Sequence, residues 1–230
     1  MRARARVNAA PGGEEPAFPP SEVGRVERLG ANELSPRLTG VDELASRVMV
    51  TLPLLASGAF HVDDRSSSAG IDVAMEGASD ATAEVADGLV IYRDGVAPGA
   101  HVIHRVTSEG TEDYVMLGAE IAPSLACSLE LRRGIAGLRL VASTLEMVDA
   151  AGVPRLRVPP PYVLGADGVR RDAKLAVERC AYDTDPRAPW DHAVVAPGST
   201  HCSHRPSFTI QPPTPGRPDP AWHSRGRRTR

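Results

Sequence analysis

Cys180 and Cys202, together with His192, His201 and His204 and the carboxylates of Asp183, Asp185 and Asp191, form the densest group of chemistry-bearing side chains in the chain. Three readings of the two cysteines stand side by side. They lie 22 positions apart (202 − 180) around a segment rich in Pro, Asp and Gly. A disulfide there would pin that segment and add about 3 kcal/mol on the chain-entropy view. Zinc is the second reading, since soft thiolates with imidazoles suit that metal, but the spacing matches no usual zinc pattern. Two unrelated thiols are the third. Asp183, Asp185 and Asp191 offer hard oxygen ligands of the kind calcium prefers. The glycine and the further carboxylate that calcium loops place at set spacing are missing, so turn and capping duty is the expectation.

The remaining candidates fail on geometry. Glu112-Asp113 and Asp63-Asp64 are neighbours in strand-like runs, and adjacent strand residues face opposite ways, so neither couple can act as a pair. His101 and His104 fall on opposite faces of one strand by the same rule. Cys127 takes an inward position in an alternating run, where a small buried hydrophobe is expected rather than a reactive thiol. No Gly-x-Ser-x-Gly elbow and no phosphate-binding glycine loop occur. The expectation is therefore no catalytic residue, no metal and no cofactor, with Cys180 and Cys202 as the candidate structural disulfide.

The elements that must position these residues read as short strands. Ile71, Val73 and Met75 alternate with Asp72 and Glu76. Leu125, Cys127, Leu129 and Leu131 alternate with Ser128, Glu130 and Arg132. Leu156 and Val158 alternate with Arg155 and Arg157, and Leu175 and Val177 with Lys174 and Glu178. Each run gives one buried and one wet face. Gly88–Tyr92, His101–Val106, Glu112–Leu117 and Leu138–Asp149 read the same way. Turn signals at Asp94-Gly95, Pro98-Gly99, Glu109-Gly110, Ala151-Gly152 and Asp167-Gly168 separate them, and Pro159-Pro160-Pro161 ends a strand. Strands at this spacing predict an all-β fold, an antiparallel β-sandwich with short hairpins. One short helix is expected over 41–50, from the spacing of Val41, Leu44, Ala45 and Val48 and a capping box at Thr39 and Asp42, with Pro53 as its stop. Residues 1–38, rich in Pro, Gly, Glu and Arg, are expected to be a disordered tail, 39–202 the sandwich, and 203–230 a second tail rich in Pro and Arg.

Composition agrees. Hydrophobic residues make up 42% of the 230, but aromatics only 4%, so the core must be aliphatic. With 26 basic and 29 acidic residues the net charge is −3, which argues against a nucleic-acid partner. No apolar run is long enough to span a membrane. The basic start Met1-Arg2-Ala3-Arg4 leads into Pro11-Gly12-Gly13 rather than an apolar stretch, so no export signal is expected in the chain as written.

Several segments together resemble a known region. They are Glu84–Tyr92, Gly110–Val115, Gly137–Ala142 with Leu145-Glu146, and Cys180–Pro186 with Ala188-Pro189-Trp190. They resemble the N-terminal region of large surface or secreted proteins of myxobacteria and their relatives, a region that often precedes kelch-type or similar β-propeller repeats. The resemblance covers about half the chain, from Ala83 to Cys202. It implies an oxidising, extracellular or cell-envelope compartment, with Cys180 and Cys202 at the positions of a cysteine pair, and a structural module without catalytic residues. Asp219-Pro220-Ala221-Trp222 resembles the lead-in to the repeats, but an Arg-rich stretch follows. That departure, with the missing signal, suggests a fragment, a shifted reading frame or an independent short relative.

The resulting expectation is a non-catalytic structural or adhesion-type module, with other protein modules or surface glycans as partners. Two alternatives are a metal- or carbohydrate-binding module using Asp183, Asp185, His192, His201 or His204, and a small hydrolase with an unfamiliar site.

Overall fold

The fold is that of a computed structural model, which describes residues 2–7, 20–40, 46–117, 125–164, 169–188 and 191–207. In chain order the strands are β1 (Arg2–Val7), β2 (Val23–Leu29), β3 (Glu33–Leu38), β4 (Val48–Pro53), β5 (Phe60–Asp64) and β6 (Ala69–Met75). Then come β7 (Glu84–Ala86), β8 (Leu89–Ala97), β9 (Ala100–Thr107), β10 (Gly110–Leu117), β11 (Cys127–Leu131) and β12 (Gly137–Val141). The series ends with β13 (Thr144–Val148), β14 (Pro154–Val158), β15 (Tyr162–Leu164), β16 (Arg170–Asp172), β17 (Lys174–Glu178) and β18 (His201–Ser207).

They form three sheets in the orders β16-β15-β1-β10-β9-β8-β7, β17-β18-β11-β6-β5-β4-β3-β2 and β12-β13-β14. Pairing is antiparallel throughout, except that β1 lies parallel to both β10 and β15. The inner faces of the three sheets share one apolar core, as a sandwich requires. Leu52, Ile71, Leu129, Leu138, Leu145 and Met147 are among its fully buried side chains. The core is mainly aliphatic, as the composition predicts, with Phe60 and Tyr92 as buried aromatic rings within it.

Four expectations need correction. The 41–50 helix is not formed at its C-terminal end. Val48 opens β4, because Val48, Val50 and Leu52 also carry a two-residue period and β-branched side chains favour the extended chain. Val41, Leu44 and Ala45 lie outside the described residues. The segment expected to be a tail up to residue 38 contains the β2–β3 hairpin, whose strands are half exposed and therefore patterned weakly. Leu138–Asp149 is two strands: Ala142 (φ 48°) and Ser143 (φ 60°) form a tight left-handed turn between β12 and β13. Asp94-Gly95 makes an irregularity inside β8 rather than a chain reversal, with Asp94 at φ 53° and the register against β9 shifting after Tyr92. The Asp167-Gly168 turn signal lies outside the described residues.

The strand pattern also runs past residue 202. β18 lies between β11 and β17, with its cysteine and His204 facing inward beside Leu129 and Cys127. Pro206 is tolerated because, among the described residues, β11 pairs with His201–His204 and β18 has a single neighbour, β17, beyond that point.

Candidate functional site

β17 and β18 bring the two cysteines together. Arg179 takes a left-handed conformation (φ 67°) just after β17 and turns the chain toward β18. Cys180 and Cys202 are disulfide-bonded, Cα to Cα 5.3 Å. Their sulfurs are therefore not thiolates, which corrects both the zinc reading and the reading of two unrelated thiols. Burial suits the bond: Cys202 is 2% exposed, opposite Leu129.

Within the segment closed by this bond, the described residues 181–188 and 191–200 fold back onto the edge of the three-stranded sheet. Asp183 donates its N–H to Leu138 O at 2.8 Å, and Leu140 donates to Asp183 O at 2.8 Å. Arg139 holds the next stretch: its guanidinium donates to Asp185 O at 2.9 Å, to Arg187 O, and to Glu146 Oε2 at 2.8 Å. Gly137 permits the close approach, since a Cβ there would lie 2.5 Å from Val194 Cγ1 and 2.8 Å from Val195 O.

The histidines and aspartates singled out by type do not converge. His192 Nε2 is 3.3 Å from Asp183 Oδ2. Asp185 pairs with Arg187, whose side-chain and backbone N–H groups hold its carboxyl below the usual carboxylate range. Asp183 Oδ1 accepts the Asp185 N–H, and Asp185 Oδ1 accepts the Arg187 N–H, both at 2.9 Å, which is the turn duty these residues commonly serve. His201 points outward, 3.8 Å from Glu130 Oε1. His204 points inward and is 2% exposed. Among the described residues no group of three or more His, Cys, Asp or Glu side chains is placed to hold a metal ion.

A second group was missed by type-and-spacing reasoning. His104 of β9 faces the core, where its Nδ1 lies 2.7 Å from Asp113 Oδ1 of β10, its register partner. Phe60 and Tyr92 contact the ring edge-on, at centroid distances of 5.1 and 5.6 Å. Thr111 donates to the same Asp113 oxygen at 2.8 Å. From the facing sheet, His204 and Cys127, opposite each other on β18 and β11, approach this carboxylate. Burial lowers the His204 pKa to about 4, against the pull of Asp113 and Glu76, which favour its charged form. Burial pushes the Cys127 thiol up to about 12, and Asp113 and Glu76 add to that. A thiol so protonated is a poor nucleophile at neutral pH. Among the described residues, Asp113 Oδ2 and His204 Nδ1 are buried without a hydrogen-bond partner. The signal for this group was present in the sequence: Val102, His104 and Val106 share one face of a two-residue period.

The opposite-face expectations are met. Asp113 and His104 point inward, while Glu112 takes the outer face with Tyr114 Oη (2.8 Å) and Arg105 (3.0 Å). His101 sits outside, beside Asp94.

The third feature is a cleft of about 790 Å³. Its lining includes the turn from Thr107 to Glu112, residues of β14, and the apolar side chains of Val48, Val62 and Ile71. Arg47, Arg105, Arg155 and Arg157 lie along it with Glu22 and Glu109, and among the described residues that line it none is aromatic. Arg155 is paired with Asp149 at 2.7 Å and Arg157 with Glu146 at 2.9 Å.

No protein-family model, curated protein or solved structure matches the chain. Among the described residues no helix is long and apolar enough to cross a membrane.

Proposed function

We propose that this chain is a non-catalytic structural or adhesion-type β-sandwich module of a surface or secreted protein. The observation that carries the reading is the Cys180–Cys202 disulfide, which ties a strandless segment to the sandwich edge. Reducing compartments keep such thiols apart, whereas secreted domains use them to fasten segments that bury little surface. The rest of the molecule supports a structural role. Its one free cysteine among the described residues, Cys127, is held protonated. Its buried histidine and aspartate pair face the core rather than a surface pocket. The aspartates and histidines of the metal-binding alternative serve turns, ion pairs and the interior.

A free-thiol count tests this on protein exported to an oxidising compartment and purified without reductant. The expected result is one thiol on unfolding, from Cys127, with a mapped Cys180–Cys202 peptide. Three free thiols would remove the disulfide and with it the case for an extracellular module.

A further inference from the structure

We infer that the seam between β11 and β18 is a proton-operated latch: a proton taken up by the His204 ring parts β18 from β11 while the rest of the sandwich stays folded. β18 meets its two neighbours in unlike ways. Toward β17 it has a ladder running from Lys174 with Ser207 to Glu178 with Ser203, and the Cys180–Cys202 disulfide ties the chain just after β17 to β18. Toward β11 the ladder is shorter, from Cys127 with His204 to Glu130 with His201, and Cys127 is a free thiol. Two further bonds close that seam. Ser203 Oγ donates to Glu76 Oε1 at 2.8 Å, and the Leu131 N–H donates to Thr200 O at 2.8 Å. When β18 loosens it therefore leaves with β17, and the break falls at β11.

His204 sits on this seam. It is 2% exposed, and its Nδ1 has no hydrogen-bond partner among the described residues. Its neighbours come from both large sheets. β17 sets Val177 opposite it, and β11 sets Cys127. Glu76, just after β6, is engaged by Ser203. Across the core, β10 contributes Asp113, whose Oδ1 is held by His104 of β9 and by Thr111. A neutral imidazole fits there. An imidazolium adds an N–H donor and a charge, where burial outweighs the pull of Asp113 and Glu76. A ring that takes its proton more readily in the open seam than in the closed one drives the seam open as pH falls.

The break stays local because β17 and β18 give the core little. Leu175, Val177 and Cys202 are their described apolar members of it. The largest fully buried side chains, Tyr92, Tyr114, Leu52 and Ile71 among them, lie on other strands. Segments with few buried apolar contacts open at a lower cost than the whole fold. Parting β18 from β11 also uncovers Cys127, so the reactivity of that thiol reports the state of the seam.

The test labels the full oxidised chain with a dipyridyl disulfide, which reacts with thiols in acid as well as at neutral pH. Rates are divided by those of a short cysteine peptide at the same pH, and circular dichroism is followed in parallel. The ring's ordinary value of 6.5 and its buried value of about 4 set the size of the effect. Between pH 7.5 and 4 the normalised rate at Cys127 should rise on the order of a hundredfold, with circular dichroism unchanged. In His204→Gln it should stay within about threefold over the same range. His204→Phe gives the same reading should the Gln variant pack poorly. His101→Gln, on the outer face beside Asp94, should keep the wild-type rise. Mapping the label keeps this test apart from the thiol count, because a failed disulfide shows as label on Cys180 or Cys202. A flat wild-type rate overturns the inference. So does a rate that falls in acid, which would mean that His204 turns onto Asp113 Oδ2 and tightens the seam. An equal rise in the His204 variants, or labelling that appears only as circular dichroism is lost, overturns it as well.

Discussion

The sandwich interior and the segment 181–200 are held in place by different physics. In the interior, alternate side chains from all three sheets meet in a mainly aliphatic core, and burial supplies the stability. Among its described residues, 181–188 and 191–200, the closing segment forms no strand of its own. A disulfide, the Asp183 bridge, the Arg139 guanidinium and the close seat at Gly137 hold it against β12. Most of the residues whose types suggest chemistry sit in or beside this second region. The contrast teaches that a segment with no sheet of its own is held by turns, caps and ion pairs, which are the contacts these residues make there.

If that contrast is right, truncation in the interior should be global. Met147 is fully buried on β13. Met147→Ala should cost about 2–5 kcal/mol, the usual range for a large-to-small change with a residual cavity. Denaturant unfolding followed by circular dichroism measures this. The loss should appear as one cooperative shift, with exchange accelerated in β5 and β6 as well as in β13. Acceleration confined to the three-stranded sheet would mean that this sheet is a separate unit, and the comparison would have to be redrawn.

The polar group inside the core sharpens the comparison through pH. His204 has its folded pKa lowered, from 6.5 to about 4. The folded state therefore binds fewer protons than the unfolded state between those values, and stability falls as acid is added. It is complete above about pH 6.5, is lost progressively as pH drops toward 4, and levels off below. The shift corresponds to roughly 3 kcal/mol. Asp113, Glu76 and Cys127 lie around the same site. The informative quantity is thus the difference between wild type and His204→Gln at pH 7.5, 5.5 and 4. That difference should move in favour of the variant as pH falls. A constant difference would show that His204 is not buried neutral.

The period-two runs around Ile71, Leu129, Leu156 and Val177 were legible as strands because each has one dry and one wet face. Strands without that asymmetry were not. β2 is largely exposed, and β18 hides its inward positions behind His204 and a cysteine, so its composition resembles a tail. The Ala142-Ser143 turn carries no glycine and gave no signal. Among site residues, the cysteine pair was visible as one of three readings, since spacing alone cannot distinguish a disulfide from separated thiols. The His104–Asp113 pair was hidden for another reason. It joins two strands, and register is set by the turn and by the whole buried face, not by either strand. The cleft depends on how β14 meets a turn more than forty residues earlier in the chain, and no local pattern encodes that.

The smallest effect should come from the seat of the closing segment. Gly137 has an ordinary backbone conformation, so Gly137→Ala adds no torsional strain, only a methyl group. That methyl would meet the Val194 side chain, which can turn, and the Val195 carbonyl, which is main chain and can yield only if the segment lifts. Overpacking of this kind costs roughly 1–3 kcal/mol. Because the segment is fastened by separate contacts, the strain should be relieved locally, by loosening 181–200 rather than by unfolding the sandwich. Exchange should quicken at the Leu140 and Asp183 amides, which bond across that edge, while the amides of β5 and β6 keep their protection. Thermal midpoint should drop by a few degrees at most. If those two amides exchange as in wild type, the segment is not seated through Gly137, and the disulfide with Arg139 must hold it alone. If β5 and β6 lose protection as well, the closing segment is part of the cooperative core, and the division drawn between the two regions fails.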